Sequence, residues 1–256
     1  MAASTIKEII EQLNEIVDHS IATGSRMGYF AVLYRCVTES VAQKINEGYF
    51  DDGPRMEKLD VLFANRYLDA YNTYAAGNAC TTSWQLAFDA TKQWKPMVMH
   101  HLLLGMNAHI SLDLGIATAT ISPGDKINDI HNDFLKINAL LIAMINDVKL
   151  KLFSMWPLSK LIAKLNTGDL ENSMAGFSMI VAREAAWQVA LTYAPLLTEN
   201  AQQAYITGRD KKVNAFGNRI LNPGAWSSTV MYALRLFETG TTASKINKLN
   251  KEVTTA

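Results

Sequence analysis

The sequence predicts an all-α protein, a bundle of roughly eight to ten helices packed around one buried central helix. Three observations predict it. Apolar residues recur at helical spacing along most of the 256-residue chain, and no stretch alternates apolar and polar side chains as a half-buried strand would. Gly, Pro, Asn and Asp gather at intervals that cut the chain into helix-sized pieces. One run, Met97 to Ile121, is apolar nearly all round, which marks a helix enclosed by others.

In chain order, Ile6, Ile9, Ile10, Leu13, Ile16 and Val17 line one face of a first helix, with Thr5 and Glu8 spaced as a capping box. A basic segment followed by an uninterrupted apolar one is missing there, so this is an amphipathic helix and not a signal peptide. Tyr29, Phe30, Leu33, Val37 and Val41 form a second stripe, and Leu59, Leu62, Phe63, Tyr67 and Tyr71 a third. Breaks are expected at "NEGYFDDGP", "TYAAGNACTT", "QWKP", "ATISPGDK", "SMWPL", "LNTGDLEN", "ITGRDKK" and "ILNPGAW". Pro195, inside "LTYAPLL", should end or kink a helix that begins near Asn172. No linker or repeat divides the chain, so residues 1–240 are expected to form one domain, followed by a polar, Lys-rich tail over 241–256.

Composition narrows the function classes. Lys+Arg and Asp+Glu both number 24, so no basic field attracts nucleic acid or an anionic membrane. Cys36 and Cys80 stand alone, without the spacing of a disulfide framework or a zinc site, which fits a reducing cytoplasm. Met97 to Ile121 is long enough to cross a bilayer, but His100, His101, Asn107, His109 and Asp113 would each be costly in hydrocarbon, so no membrane span is expected.

That run, "HHLLLGMNAHISLDLG", holds the candidate site. Imidazoles and a carboxylate among Leu, Met and Ile cost several kcal/mol to desolvate unless each finds a partner. On a helix beginning near Pro96, at ~100° per residue, His101, Gly105, His109 and Asp113 line one slowly winding face, with His100, Asn107 and Ser111 opposite. His109 and Asp113 have the spacing that presents two ligands to one metal ion, and His101 and Asp60 are candidate further ligands. Other donors are Asn65, Asp69, Asp129, His131, Asp133 and Asn138 on neighbouring helices. Gly105 would leave room for a ligand or a close helix neighbour. A His and an Asp four apart serve equally as a plain hydrogen bond that fixes a tautomer.

"FANRYLDA", "HHLLLGMNAHISLDL", "NDFLKIN" and "REAAWQVA" together resemble the motif string of the bacterial and fungal family DUF5995, from about Gly28 to Tyr193. That family carries no established reaction. The resemblance implies that Asp60, His101, Asn107, His109, Asp113 and Asp133 are the positions of interest.

Elsewhere, Arg183 could hold a substrate phosphate or carboxylate, or simply pair with a core Asp. "DDGPRME" loosely resembles the Mg²⁺-binding motif of all-α terpene cyclases, but "NDVKLK" lacks the Ser and Glu of their second motif, so Asp51 and Asp52 are expected in a helix-ending turn. His19 is expected in solvent, and the methionines as adaptable core filler. No GxSxG, P-loop, GxGxxG or HExxH motif occurs.

Three functions are compatible with these residues. The first is a metal-dependent hydrolase acting on a small molecule, with a divalent Zn, Mn, Fe or Mg ion held by His109, Asp113, His101 and Asp60. The second is a lyase or cyclase acting on an apolar, terpenoid-like molecule. The third is a non-catalytic helical protein that binds a small molecule, its polar core residues satisfying one another.

Overall fold

The computed structural model describes residues 2–153, 155 and 179–251. Among them every regular element is helical, and ten helices result when Val98–Ile121 is taken as one. The all-α class and the expected number of helices both hold.

Helix α1 (Ile6–Thr23) starts as its sequence suggests, Thr5 Oγ1 accepting from the Glu8 amide at 3.2 Å. The Glu8 carboxylate reaches one residue further back than a capping box would, to the Ser4 amide and hydroxyl. Its apolar stripe packs on α2 (Gly28–Asn46), which also touches α3 (Gly53–Ala75). Asp52 caps α3 through the Arg55 amide at 2.9 Å, so "DDGPRME" opens a helix instead of ending one. Helix α4 (Thr82–Lys92) follows, and then the central rod.

The rod comprises α5 (Val98–Ala108), a π-helical turn (His109–Leu114) and α6 (Gly115–Ile121). It is long and apolar enough to span a membrane, yet 89% of its most apolar window is buried inside the protein, as a core helix requires. Helix α2 packs on α5, α3 on the π turn and α6, and α4 on α5. Beyond a 3₁₀ segment (Gly124–Ile130) and α7 (His131–Phe153), α8 (Met179–Tyr193) covers α6, while α9 (Glu199–Leu221) closes the side shared by α4 and α5. Helices α10 (Ala225–Leu236) and α11 (Thr242–Asn250) complete the order.

Two close approaches fix the rod. A Cβ on Gly105 would stand 2.3 Å from the Phe30 ring, and one on Gly115 would stand 2.5 Å from the Ala186 carbonyl oxygen. The room at Gly105 is therefore taken by α2 and not by a ligand.

Buried acids from distant parts of the chain cap these helices. Asp210 accepts from the Thr82 and Ser83 amides at the start of α4, and Glu238 accepts from the Val98 amide at the start of α5 while pairing with Arg235 and Lys245. Such acceptors satisfy first-turn amides that have no partner within their own helix.

Two further sequence expectations change. "ITGRDKK" does not break the chain: α9 runs through it, because an exposed Gly208 weakens a helix without ending it and Asp210 is engaged across the bundle. The segment from Thr241, expected as a loose polar tail, is helical to Asn250 and buries Ile246 and Leu249. Its sparse apolar residues fall three apart on one face, which is enough to dock a short helix. The rod's regular start is Val98, two residues beyond Pro96. Helix α8 ends at Tyr193, ahead of Pro195 as expected. Its expected start near Asn172, the "LNTGDLEN" break and most of "SMWPL" lie outside the described residues.

Candidate functional site

The centre of the site is the π-helical turn. An extra residue in one helical turn is uncommon and recurs at functional positions in proteins. Here it carries His109 at one end and Asp113 near the other. The Asp113 carboxylate is buried and held from three sides. Arg66 Nε donates to Oδ1 at 2.8 Å, Trp84 Nε1 donates to Oδ2 at 2.8 Å, and His109 Nδ1 stands 3.5 Å from Oδ2. Burial alone would raise its pKa, but Arg66, His109 and Trp84 outweigh that and hold the carboxyl below its ordinary range.

His109 is enclosed by aromatic rings. Phe63 stacks on it at 3.6 Å between centroids and 7° between planes, Tyr34 meets it edge-on at 4.4 Å, and Phe30, Tyr67 and Trp84 complete the box. Burial lowers its pKa, and the Asp113 carboxylate opposes this without reversing it, so the ring is neutral at pH 7. With Nδ1 toward Asp113, the other nitrogen, Nε2, has no hydrogen-bond partner although it is buried.

Further unpaired polar atoms lie on the facing helices. Asp60 Oδ2, the Tyr67 hydroxyl and the Tyr34 hydroxyl are buried without hydrogen-bond partners, and Thr38 lies beside Tyr34. Burial first, and then the Asp60 and Asp113 charges, push the Tyr34 hydroxyl pKa well above its usual value. Tyr34 thus lies within the electrostatic reach of both carboxyls. Asp60 itself is raised to about 7, by burial and then by Glu57, so near neutral pH it is partly protonated and can donate. Natural interiors seldom leave this many polar atoms unpaired together.

The six positions singled out in the sequence separate. His109 and Asp113 meet, and Asp60, like Asp113, lies within the field of the Tyr34 hydroxyl. His101 lies two turns earlier against Tyr29, its pKa lowered to about 3 by burial first and then by His100 and Arg26. Asn107 donates to the Val213 carbonyl at 2.9 Å and ties the rod to α9. Asp133 accepts from the Asp51 and Asp52 amides at 2.7 and 3.0 Å, holding the turn before α3. His100 accepts from the Met97 amide and closes the start of its own helix. Among the other donors named, Asn65 binds both main-chain groups of Ala3, His131 stacks on Trp187 and Asn138 accepts from Arg183.

Among the described residues Arg183 pairs with no core Asp. It is buried, bonded to Asn138 and the Phe134 carbonyl, and lies over the Phe134 ring. Burial lowers its pKa to about 9. Arg66, Trp84, Tyr34, Tyr67 and Phe63 are the site residues that sequence reasoning missed. A signal existed for two of them: Asp60, Phe63 and Tyr67 share one helical stripe, so a carboxyl on that stripe brings its neighbours to the same place.

A metal ion fits this donor set poorly. Both Asp113 oxygens are engaged, His101 and Asp133 lie elsewhere, and among the described residues no group of three His, Cys, Asp or Glu side chains is arranged to hold a metal. The π-helical turn and its neighbours therefore offer an imidazole with one open nitrogen and a few unpaired hydroxyl and carboxyl groups, while His101, two turns earlier, is buried with neither ring nitrogen bonded.

Fold and site thus define an all-α bundle with a buried His–Asp pair on a π-helical turn of its central rod. Residues 6–223 match the sequence model described as Family of unknown function (DUF5995), and the chain belongs to that family. No curated protein and no solved structure matches it.

Proposed function

We propose that the protein is an enzyme that moves a proton on a small, largely apolar molecule, in the manner of a lyase or cyclase. His109 Nε2 acts as the base. Asp113 is a positioning residue that keeps the Nδ1 proton in place and stabilises the imidazolium once formed, as the third member of a catalytic triad does. Asp60, Tyr34 and Tyr67 are the nearby groups able to donate a proton or a hydrogen bond.

One observation carries the reading: a buried neutral imidazole whose Nδ1 side faces a fixed carboxylate has Nε2 without a partner. The surrounding rings favour the lyase or cyclase form over hydrolysis, since an aromatic lining suits an apolar substrate better than a polar one.

The test is turnover of candidate apolar small molecules by wild type, His109→Gln and Asp113→Asn, with folding checked by circular dichroism. Loss of a positioned base costs about 10²- to 10⁴-fold, so His109→Gln should fall by at least a hundredfold while keeping its fold. Undiminished turnover in that variant overturns the reading. Elemental analysis of protein purified without a histidine tag tests the metal-dependent hydrolase: stoichiometric Zn, Mn, Fe or Mg, lost in His109→Ala, would replace the present reading with that one. A His109→Ala variant that only loses stability while still binding the molecule would favour the non-catalytic binder.

A further inference from the structure

Two guanidinium groups are tied to the π-helical turn through their Nε atoms. Arg66 of α3 donates to Asp113 Oδ1 at 2.8 Å, and Arg209 of α9 donates to the Ser111 carbonyl at 2.8 Å. Their Nη groups have no hydrogen-bond partner among the described residues. The Arg66 side chain is 26% exposed, and Arg209 is likewise half-buried. Asp113 offsets the charge of Arg66, but among the described residues no carboxylate lies within ion-pair distance of Arg209.

Tyr193 and Tyr205 connect the two. Their rings stand 5.9 Å apart, Tyr193 is within the field of Arg66, and Tyr205 is within that of Arg209. Neither hydroxyl is bonded to a protein group among the described residues. Supporting the Ser111 carbonyl explains the Nε contact of Arg209, yet a neutral amide would do the same. That role leaves the charge without a counterpart. A planar guanidinium with open Nη donors is the side chain best matched to an oxyanion.

We propose that the substrate carries an oxyanion, a carboxylate or a phosphate, which Arg66 and Arg209 bind beside the π-helical turn, with the Tyr193 and Tyr205 hydroxyls as further donors. The inference rests on His109 being the reacting base and adds the charged end of the substrate. Arg66 then links the two halves of the site, since its Nε holds Asp113 while its Nη groups hold the anion. The substrate class is an apolar molecule bearing one acidic group.

Isothermal titration of the full chain at constant ionic strength tests this with three probes, inorganic phosphate, pyrophosphate and benzoate. Wild type should bind at least one of them saturably, Arg209→Gln should bind it at least tenfold more weakly with its helical signal intact, and His109→Gln should bind it within twofold of wild type. Should Arg209→Gln fail to fold, Arg66→Lys is measured against the same tenfold threshold. Saturation by phosphate or pyrophosphate assigns a phosphate, and saturation by benzoate assigns a carboxylate. No saturable heat with any probe, or binding unchanged in both arginine variants, overturns the proposal. Because the anion probes do not require the base, anion binding together with full turnover by His109→Gln would reject the base and keep the anion site.

Discussion

Asp60 and the buried histidines give the protein opposite responses to pH. The folded-state pKa of Asp60 is raised to about 7 from 3.8, so its contribution to stability is fully present below its unfolded value and is lost as pH rises to about 7. His100 and His101 are depressed to about 4 and about 3 from 6.5, so they remain neutral in the fold while the unfolded chain takes up protons. Their contribution is intact above pH 6.5 and falls as pH drops toward 3. Asp60→Asn should therefore gain stability relative to wild type progressively between pH 4 and 7, and the gap should stay level above that. Urea melts across pH 4 to 9 check it, and a constant gap would mean that Asp60 ionises normally. The desolvation of His100 and His101 was legible in the sequence, because ionisable residues inside an apolar run lose their water, whereas Asp60 lies outside that run and its shift was not. The partners of buried polar residues were not legible either. Asp133 and Asn107 carry the same residue types as the site, and only the three-dimensional structure shows them spent on a distant turn and a distant carbonyl.

At the scale of the element, the first helix, the aromatic stripes and most breaks follow from spacing and turn chemistry alone. The π-helical turn does not, because one added residue leaves the apolar pattern of a fully buried rod unchanged. Glycines test the packing of that rod. Gly115→Ala should cost roughly 1–3 kcal/mol or more, since the new methyl would stand 2.5 Å from a main-chain oxygen that has little room to retreat. Gly105→Ala faces the Phe30 ring at 2.3 Å, and relief there requires moving the ring that borders His109. Gly208→Ala, on the exposed side of α9 with nothing within 4 Å, should instead stabilise by about 0.5–1 kcal/mol. Chemical denaturation of the three variants gives the order directly. A stabilised Gly115→Ala would show that α6 and α8 are not in contact there.

For the whole molecule, the all-α class was readable because helical spacing needs only local sequence, whereas the closing contacts join residues far apart in the chain. Helix α11 packs against α1 and α2, and Lys245 meets Glu238 at 2.8 Å in a buried ion pair. Ile246 and Leu249 are withdrawn from solvent. Burying two such side chains contributes about 3–6 kcal/mol, which for a chain of this length corresponds to a melting shift of about 10 °C. Ending the chain at Gly240 should lower Tm by that order in differential scanning calorimetry. An unchanged Tm would make α11 a passive appendage.

The notch at Gly28 shows what this closure means for the growing polypeptide. A Cβ there would stand 2.5 Å from Ser20 and 2.6 Å from Ile246, so the crossing of the first two helices is plugged by a side chain from the last. Those helices leave the ribosome long before their plug is made. The seam between α1 and α2 therefore stays unplugged until Ile246 has been made, and a nascent chain stalled short of Ile246 holds it open.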